Sequence, residues 1–151
     1  CASYSRPHPP FTAPGRYISR YRDRLPPPEA GGTLSEEPYA RNRGANHVGL
    51  SEAEIQRGRE GYYACVDFVD DCIGELVSGL ESAGALENTI VIFMSDHGEM
   101  LGDHWCRGKE TPFDGAVRVP MIVKSPLVPQ CARGVVVAGI SGGARDWSLT
   151  G

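Results

Sequence analysis

The chain lacks two features that would place a protein in a class at once: a long apolar run and a clustered basic face. No apolar run approaches the roughly 20 residues that a membrane-spanning helix needs, so we expect no membrane span. The net charge is −4 and most basic residues are scattered. A nucleic-acid surface needs positive charge gathered on one face, so no nucleic-acid partner is predicted.

Paired cysteine motifs are also missing. The five cysteines are an odd number, with no Cys-x-x-Cys pair and no zinc-like spacing. We predict that Cys65 and Cys72 are small buried hydrophobic residues on one face of a helix. The first residue is Cys rather than Met, so we expect these 151 residues to be part of a longer protein. The sequence then gives no evidence on targeting.

The most informative stretch runs from Thr89 to Lys109 and joins an apolar run to a group of ionisable residues. Residues 89–94 (TIVIFM) are rich in β-branched side chains, which predicts a strand buried on both faces. Asp96 and His97 follow at the end of this strand, where open α/β sheets collect their ligands. A carboxylate beside an imidazole suits a divalent cation. Further ionisable side chains follow at Glu99, Asp103, His104 and Lys109.

A long helix is predicted before this strand. Ser51 and Glu54 have the spacing of a capping box, and Gly84 has the character of a helix stop. Between them, apolar residues spaced by three and four predict one packed face. These residues are Tyr62, Val66, Val69, Ile73, Leu76 and Leu80, whereas Asp67, Asp70 and Asp71 are expected on a solvated face.

The remaining segments carry shorter patterns. Residues 116–124 (AVRVPMIVK) predict a second strand, in which Pro120 requires an edge position or a bulge. We expect a short helix at 15–22, a long polar loop at 25–46 and a weak strand at 134–137. A helix followed by a buried strand is half of a βαβ unit, so the predicted class is α/β.

Several segments occur together, in this order, in one known family. They are Arg6-Pro7-His8-Pro9-Pro10-Phe11, Gly61-Tyr62-Tyr63-Ala64, Val69-Asp70, Ser95-Asp96-His97-Gly98-Glu99, Leu101-Gly102-Asp103-His104, Gly108-Lys109 and Arg118-Val119-Pro120. On this ordered set the chain resembles the type I sulfatases of the alkaline phosphatase superfamily. The resemblance implies part of a sulfatase-like sandwich, a mixed sheet flanked by helices. Residues 1–126 would be the C-terminal part of a catalytic domain, and 127–151 an irregular or truncated tail.

The resemblance also implies roles for individual residues. Asp96 and His97 would be metal ligands. Calcium is the metal that sulfatases imply, with Mn²⁺ or Zn²⁺ as alternatives because a nitrogen ligand is less typical of calcium. Lys109, His8 and His104 would act in catalysis. Lys109 and His8 would bind the sulfate oxygens, and His104 would contact substrate or orient its loop.

The implied activity is metal-dependent hydrolysis of a sulfate ester, either a small molecule or a carbohydrate. Sulfatases use a formylglycine nucleophile, which a formylglycine-generating enzyme makes from the cysteine of Cys-x-Pro-x-Arg. That motif is absent from the chain, as are the paired aspartates that complete the metal site. Both are expected upstream of Cys1.

Three other interpretations stay open. The same scaffold could hydrolyse a phosphonate monoester or a phosphodiester. The chain could be a catalytically inactive fragment that binds a metal or an anion. The charged loop after residue 94 could be an ordinary surface turn.

Overall fold

The computed structural model describes residues 1–29 and 50–127, and these form an α/β arrangement, which confirms the predicted class. The predicted strand at 134–137, residues 128–151 of the tail and most of the predicted loop lie outside the described residues. No helix in the described part is long and apolar enough to cross a bilayer. The elements are α1 (Gly15–Tyr21), α2 (Glu52–Ser82), β1 (Val91–Met94), α3 (Asp114–Val117) and β2 (Met121–Lys124), with 3-10 turns at Leu86–Asn88 and Asp103–Trp105.

Both ends of α2 follow from local hydrogen bonds. At the N-terminus, the Ser51 hydroxyl accepts a bond from the Glu54 N–H, and Glu54 Oε2 accepts one from the Ser51 N–H at 2.8 Å. At the C-terminus, Gly84 adopts φ 66° and the Ala85 N–H donates to the Leu80 carbonyl at 2.9 Å. This pair of features is a Schellman motif, which needs a residue tolerant of positive φ. Both predicted ends are confirmed.

We expect the capping box to make the stability of α2 sensitive to acid. Hydrogen bonds from the backbone and side chain of Ser51 hold the pKa of Glu54 below its usual value of 4.5. A carboxyl whose pKa is lower in the folded state stabilises the fold above its unfolded pKa. That stabilisation is lost as the pH falls through the folded pKa. Urea unfolding at several pH values below 5 should therefore show a steeper loss for the wild type than for Glu54→Gln.

The matched control is Glu52→Gln, which neutralises a first-turn glutamate outside the capping box. It should keep the wild-type pH dependence. Ser51→Ala should lower the free energy of unfolding by about 1 kcal/mol at neutral pH, because it removes the N-cap. Equal pH slopes for the wild type and Glu54→Gln would contradict the expected linkage.

α1 packs on α2 through one buried tyrosine and two aspartates. Tyr17 is fully buried, its ring lies 5.5 Å from that of Phe68, and its hydroxyl donates to Asp71 Oδ2 at 2.6 Å. Arg20 pairs with Asp67 at 2.8 Å. Asp67 and Asp71 are one helical turn apart and share a face, so both reach α1. The prediction of a solvated face was wrong for Asp67, which is partly buried, whereas Asp70 and Asp71 are exposed as predicted.

The buried face of α2 also differs from the predicted one. Val66 and Leu76 are 43% and 45% exposed, whereas Gly61, Ala64 and Cys65 are buried. Small side chains let the N-terminal segment approach the helix closely, and apolar periodicity does not detect that. The prediction for Cys65 is confirmed, and Cys72 is only partly buried.

β1 and β2 form a two-stranded antiparallel sheet, with Ile92 opposite Val123. The second strand was predicted to begin at residue 116, which was wrong. Residues 114–117 form a helical turn, which the Arg118 N–H closes by donating to the Asp114 carbonyl at 2.9 Å. The strand begins directly after Pro120, which lacks the N–H that a strand interior would use.

One face of this sheet is apolar and open within the described residues. Ile92 and Met94 of β1 are 55% and 62% exposed, and Met121 and Val123 of β2 are 48% and 50% exposed. The sequence predicted β1 to be buried on both faces. That prediction is wrong for the described part of the chain, where the sheet has only two strands.

Candidate functional site

The candidate site begins directly after β1, where the chain turns at Asp96 and His97. The His97 N–H donates to Asp96 Oδ1 at 3.0 Å, and Asp96 Oδ2 lies 3.6 Å from His97 Nε2. Ser95 supports the turn, since its hydroxyl donates to the His97 carbonyl at 2.8 Å. The Asp96 side chain is 85% exposed and that of His97 is 31% exposed. The carboxylate and the imidazole therefore face each other at a surface that a ligand can reach.

Hydrogen bonding fixes the tautomer of His97. Its Nδ1 lies 2.7 Å from the Gly98 carbonyl, which can only accept, so Nδ1 carries the hydrogen. Nε2 is then an acceptor, and Lys109 Nζ lies 2.6 Å from it. The ammonium group of Lys109 therefore donates to His97. A backbone carbonyl that holds one imidazole nitrogen and so orients the other is usual for a metal-binding histidine. In this structure the other nitrogen accepts from Lys109.

The electrostatics keep Asp96 ionised. Its slight burial raises the pKa of the carboxyl, but other contributions outweigh this effect and the pKa lies below its usual value of 3.8. They are the charge that His97 carries when protonated, hydrogen bonds from the backbone of His97 and Asp96, and the charge of Lys109. Asp96 is therefore an anionic oxygen donor at neutral pH.

The loop that carries these residues is anchored to a small core. The Gly98 N–H donates to the Ala116 carbonyl at 2.7 Å, and a Cβ at Gly98 would collide with the backbone of Gly115. Met100 and Cys106 are each 1% exposed and pack with Ala116. The Met100 N–H donates to the Gly108 carbonyl at 2.9 Å, and Glu99 Oε1 accepts from the Gly108 N–H. These bonds fix the chain on both sides of the ionisable residues.

A buried arginine of α2 also holds this loop. Arg59 is 7% exposed, and its Nη1 donates to the Leu101 carbonyl at 3.0 Å and pairs with Asp103 at 3.4 Å. Sequence reasoning missed Arg59, because nothing local distinguishes it from the other charged residues of α2. Three residues of the loop other than glycine adopt positive φ: Leu101 (50°), His104 (52°) and Trp105 (58°). Such a conformation is strained and persists where contacts from outside the loop impose it.

The structure places His104 in the wall of a cleft. Its ring stacks on Phe113, with 4.1 Å between centroids and 7° between planes. The cleft has a volume of about 390 Å³, and Met100 and Asp114 also line it. The predicted role of His104 in catalysis stays a prediction.

His8 lies in the N-terminal segment that packs on α2. Its Nδ1 is 2.8 Å from the Pro9 carbonyl, and its N–H donates to the Ser5 carbonyl at 3.0 Å. The ring of Phe11 in the same segment meets Tyr62 edge to face at 5.5 Å. Among the predicted site residues, direct contacts join Asp96, His97 and Lys109, as described above. The substrate-binding role of His8 stays a prediction.

Asp96 and His97 fit part of a cation site. Two ligands at about 2.0–2.4 Å from one ion are separated by roughly 3–4 Å, which agrees with the 3.6 Å between Asp96 Oδ2 and His97 Nε2. In the described ranges, no group of three or more His, Cys, Asp or Glu residues could hold a metal. These two residues therefore suit a divalent cation as a partial ligand set, one anionic oxygen and one nitrogen.

Comparison with known proteins points to one family. The sequence model of the sulfatase family matches residues 1–134. An arylsulfatase of Clostridium perfringens (strain 13 / Type A) is 38% identical over 129 residues, which cover 82% of this chain and 27% of that protein. The multifunctional alkaline phosphatase superfamily protein PehA of Trinickia caryophylli is 32% identical over 139 residues, covering 80% of this chain and 27% of that protein.

A solved structure is similar in fold as well as in sequence. The phosphonate monoester hydrolase of Agrobacterium radiobacter superposes with a TM-score of 0.74 at 29% identity, over 80% of this chain and 28% of that chain. The chain spans about a quarter of the length of the two curated relatives named above, 27% in each case.

Proposed function

This chain belongs to the sulfatase family, and we propose that it supplies the charge-stabilising side of a site at which the whole protein hydrolyses a sulfate ester. One observation carries the proposal: Lys109 Nζ, His97 Nε2 and Asp96 Oδ2 form a contiguous set, with separations of 2.6 and 3.6 Å. The arylsulfatase relative supports the sulfate ester as the substrate class. Residues 1–126 would belong to the C-terminal part of the catalytic domain.

The reaction explains why these groups belong together. Hydrolysis breaks a sulfur–oxygen bond, so negative charge builds on the leaving oxygen and stays on the sulfuryl oxygens. The Lys109 ammonium, and His8 with it, would bind the sulfuryl oxygens and stabilise this charge in the transition state. His104 would contact the substrate or orient the loop. A divalent cation bound by Asp96 and His97 would supply Lewis-acid stabilisation, with calcium first and Mn²⁺ or Zn²⁺ as alternatives.

The nucleophile is the part of the reaction that these residues do not supply. The chain has no Cys-x-Pro-x-Arg motif. We therefore assign a formylglycine nucleophile and the remaining metal ligands to parts of the whole protein outside these 151 residues, with a formylglycine-generating enzyme as a partner. The substrate would be a small-molecule or carbohydrate sulfate ester.

A second candidate is hydrolysis of a phosphonate monoester or a phosphodiester. The fold similarity to a phosphonate monoester hydrolase and the sequence similarity to PehA favour it. The same cationic groups suit either reaction, because both substrates present negatively charged oxygens around a tetrahedral centre.

A paired assay on the whole protein separates the two candidates. The substrates are 4-nitrophenyl sulfate and the 4-nitrophenyl ester of phenylphosphonate, each assayed after chelation and after adding back calcium, manganese or zinc. We expect a higher kcat/KM on the sulfate, restored by a divalent cation. A higher kcat/KM on the phosphonate would reverse the order. Absence of turnover on both would favour an inactive binding protein.

Asp96→Ala tests the metal assignment. We expect it to lower kcat/KM by at least about 100-fold and to raise the cation concentration that half-restores activity, because the anionic ligand is lost. The matched control is Asp70→Ala, which removes an exposed carboxylate on α2. Identical cation dependence in the wild type and both variants would mean that Asp96 is an ordinary surface residue and not a metal ligand.

A further inference from the structure

We propose that Glu99 is a positioning residue for Lys109: its carboxylate holds the backbone from which the lysine extends. The inference rests on the proposed function of Lys109. Glu99 is half-buried, and its Oε1 accepts a hydrogen bond from the N–H of Gly108, the residue directly before Lys109. The same oxygen lies 3.4 Å from the Leu101 N–H.

Gly108 is held from its other side as well. Its carbonyl accepts from the Met100 N–H at 2.9 Å, and Met100 is 1% exposed within the small core. Glu99 and Met100 are consecutive. Gly108 is therefore bonded to two adjacent residues, to the side chain of Glu99 and to the backbone of Met100. Gly108 has φ 77°, a conformation that few residues other than glycine adopt readily. The two ends of the loop at 99–108 are therefore bonded to each other, and Lys109 directly follows this junction.

Lys109 needs such a support because its side chain is long and exposed. Four rotatable bonds separate its backbone from Nζ, and the precise placement of a charge beside a reacting group depends on where the backbone starts. A carboxylate that accepts from an N–H forms a charge-assisted bond, which is stronger than a neutral one. Glu99 therefore fixes the start of the lysine more firmly than a neutral acceptor would.

The contacts of Glu99 also separate it from the reacting groups. Its carboxylate bonds to the backbone at Gly108 and Leu101, whereas Lys109 Nζ is directed to His97. Glu99 thus acts through Lys109 and is not itself a catalytic residue. The same loop contains Leu101 and His104, whose backbone conformations are strained. Loss of the Glu99 hydrogen bonds would therefore let the backbone of the whole loop relax.

The test compares Glu99→Leu, which is similar in size but cannot accept a hydrogen bond, with Glu99→Gln, which keeps an acceptor oxygen. In the whole protein, we expect Glu99→Leu to lower kcat on 4-nitrophenyl sulfate by about 10- to 100-fold with a smaller change in KM. Glu99→Gln should retain most of the wild-type kcat. The matched control is Glu110→Gln, which neutralises an exposed glutamate next to Lys109 and should leave kcat unchanged.

A double-mutant cycle distinguishes positioning from a general role in folding. In a Lys109→Met background, Glu99→Leu should cause little further loss, because the group that it positions is gone. A full additional loss in that background would overturn the proposal, as would a wild-type kcat in Glu99→Leu itself. If the leucine variant does not fold, Glu99→Asp, which is one methylene too short, takes its place with the same expected loss.

A readout that does not require turnover separates this proposal from the proposed function. In a ¹H–¹⁵N spectrum of the whole protein labelled with ¹⁵N-glycine, the Gly108 amide proton should move upfield in Glu99→Leu and move less in Glu99→Gln, since it loses a carboxylate acceptor. An unchanged Gly108 amide would overturn the positioning role. A shifted amide in a protein that hydrolyses neither substrate would instead count against the proposed function and leave the hydrogen bond established.

Discussion

Replacing Lys109 by methionine is expected to lower kcat on a sulfate ester by about 100- to 1,000-fold, the usual loss when one charge-stabilising group is removed from a transition state. Methionine keeps an unbranched side chain of similar length but carries no charge. Lys109 is exposed, and its terminal nitrogen contacts His97. The free energy of unfolding should therefore change little. Steady-state kinetics and urea unfolding of the same preparation would check both statements.

The chain provides a matched control in its other lysine. Lys124 lies at the end of β2, where its Nζ donates to the Leu86 carbonyl at 3.0 Å and approaches Glu87. Lys124→Met should cost about 0.5–1.5 kcal/mol of stability, since one hydrogen bond to the backbone is lost, and should leave kcat unchanged. Equal losses of kcat in the two methionine variants would show that charge at a distance, rather than contact, is responsible.

Alanine should have opposite effects at two glycines of the same helix. A Cβ at Gly61 would collide with the backbone carbonyl of Phe11 and lie 3.0 Å from the Phe11 Cβ, whereas a Cβ at Gly74 would meet nothing within 4 Å. Overpacking costs about 1–3 kcal/mol, which exceeds the roughly 1 kcal/mol that alanine gains over glycine in a helix. Gly61→Ala should therefore lower the free energy of unfolding by about 1–2 kcal/mol. Gly74→Ala should raise it by about 0.5–1 kcal/mol.

The carbonyl of Phe11 has little freedom to move away from α2. The next residue, Thr12, is held from two sides: its carbonyl accepts from the buried thiol of Cys65 at 3.3 Å, and its hydroxyl accepts from Arg6 at 2.9 Å. Gly58→Ala is a second control, since its added methyl group would also lie in open space. Stabilisation by Gly61→Ala to the same extent as by Gly74→Ala would mean that the N-terminal segment does not pack on α2 as described.

The sequence revealed those parts of the candidate site that depend on local order. Asp96 and His97 could be identified because an apolar run stops directly before them, and the end of such a run is visible in the sequence. The contact between His97 and Lys109 spans twelve positions and was not predicted, since the family resemblance implied only that Lys109 binds the sulfate oxygens. The contact of Arg59 with Asp103 spans 44 positions. No pattern distinguishes a charge that bonds to a distant loop from one that faces water.

The fold shows the same division between local and distant causes. The caps of α2 were predicted correctly because each is made by residues within one turn of the end. The buried face was not, because glycine and alanine carry no hydrophobic signal and are buried through their contact with another segment. The first half of the second predicted strand failed for a similar reason. The turn at 114–117 is tied to Gly98 through the Ala116 carbonyl, a contact that apolar spacing does not encode.

The bond between Lys109 and His97 has a consequence for how an ion would enter the site. With its hydrogen on Nδ1, the imidazole has a single lone pair, at Nε2, and Lys109 already occupies it. One lone pair cannot serve an ammonium hydrogen and a cation together, so a cation bound at Nε2, as we propose, would have to displace the Lys109 ammonium group. The displaced ammonium group would then be available to the anionic oxygens of a substrate.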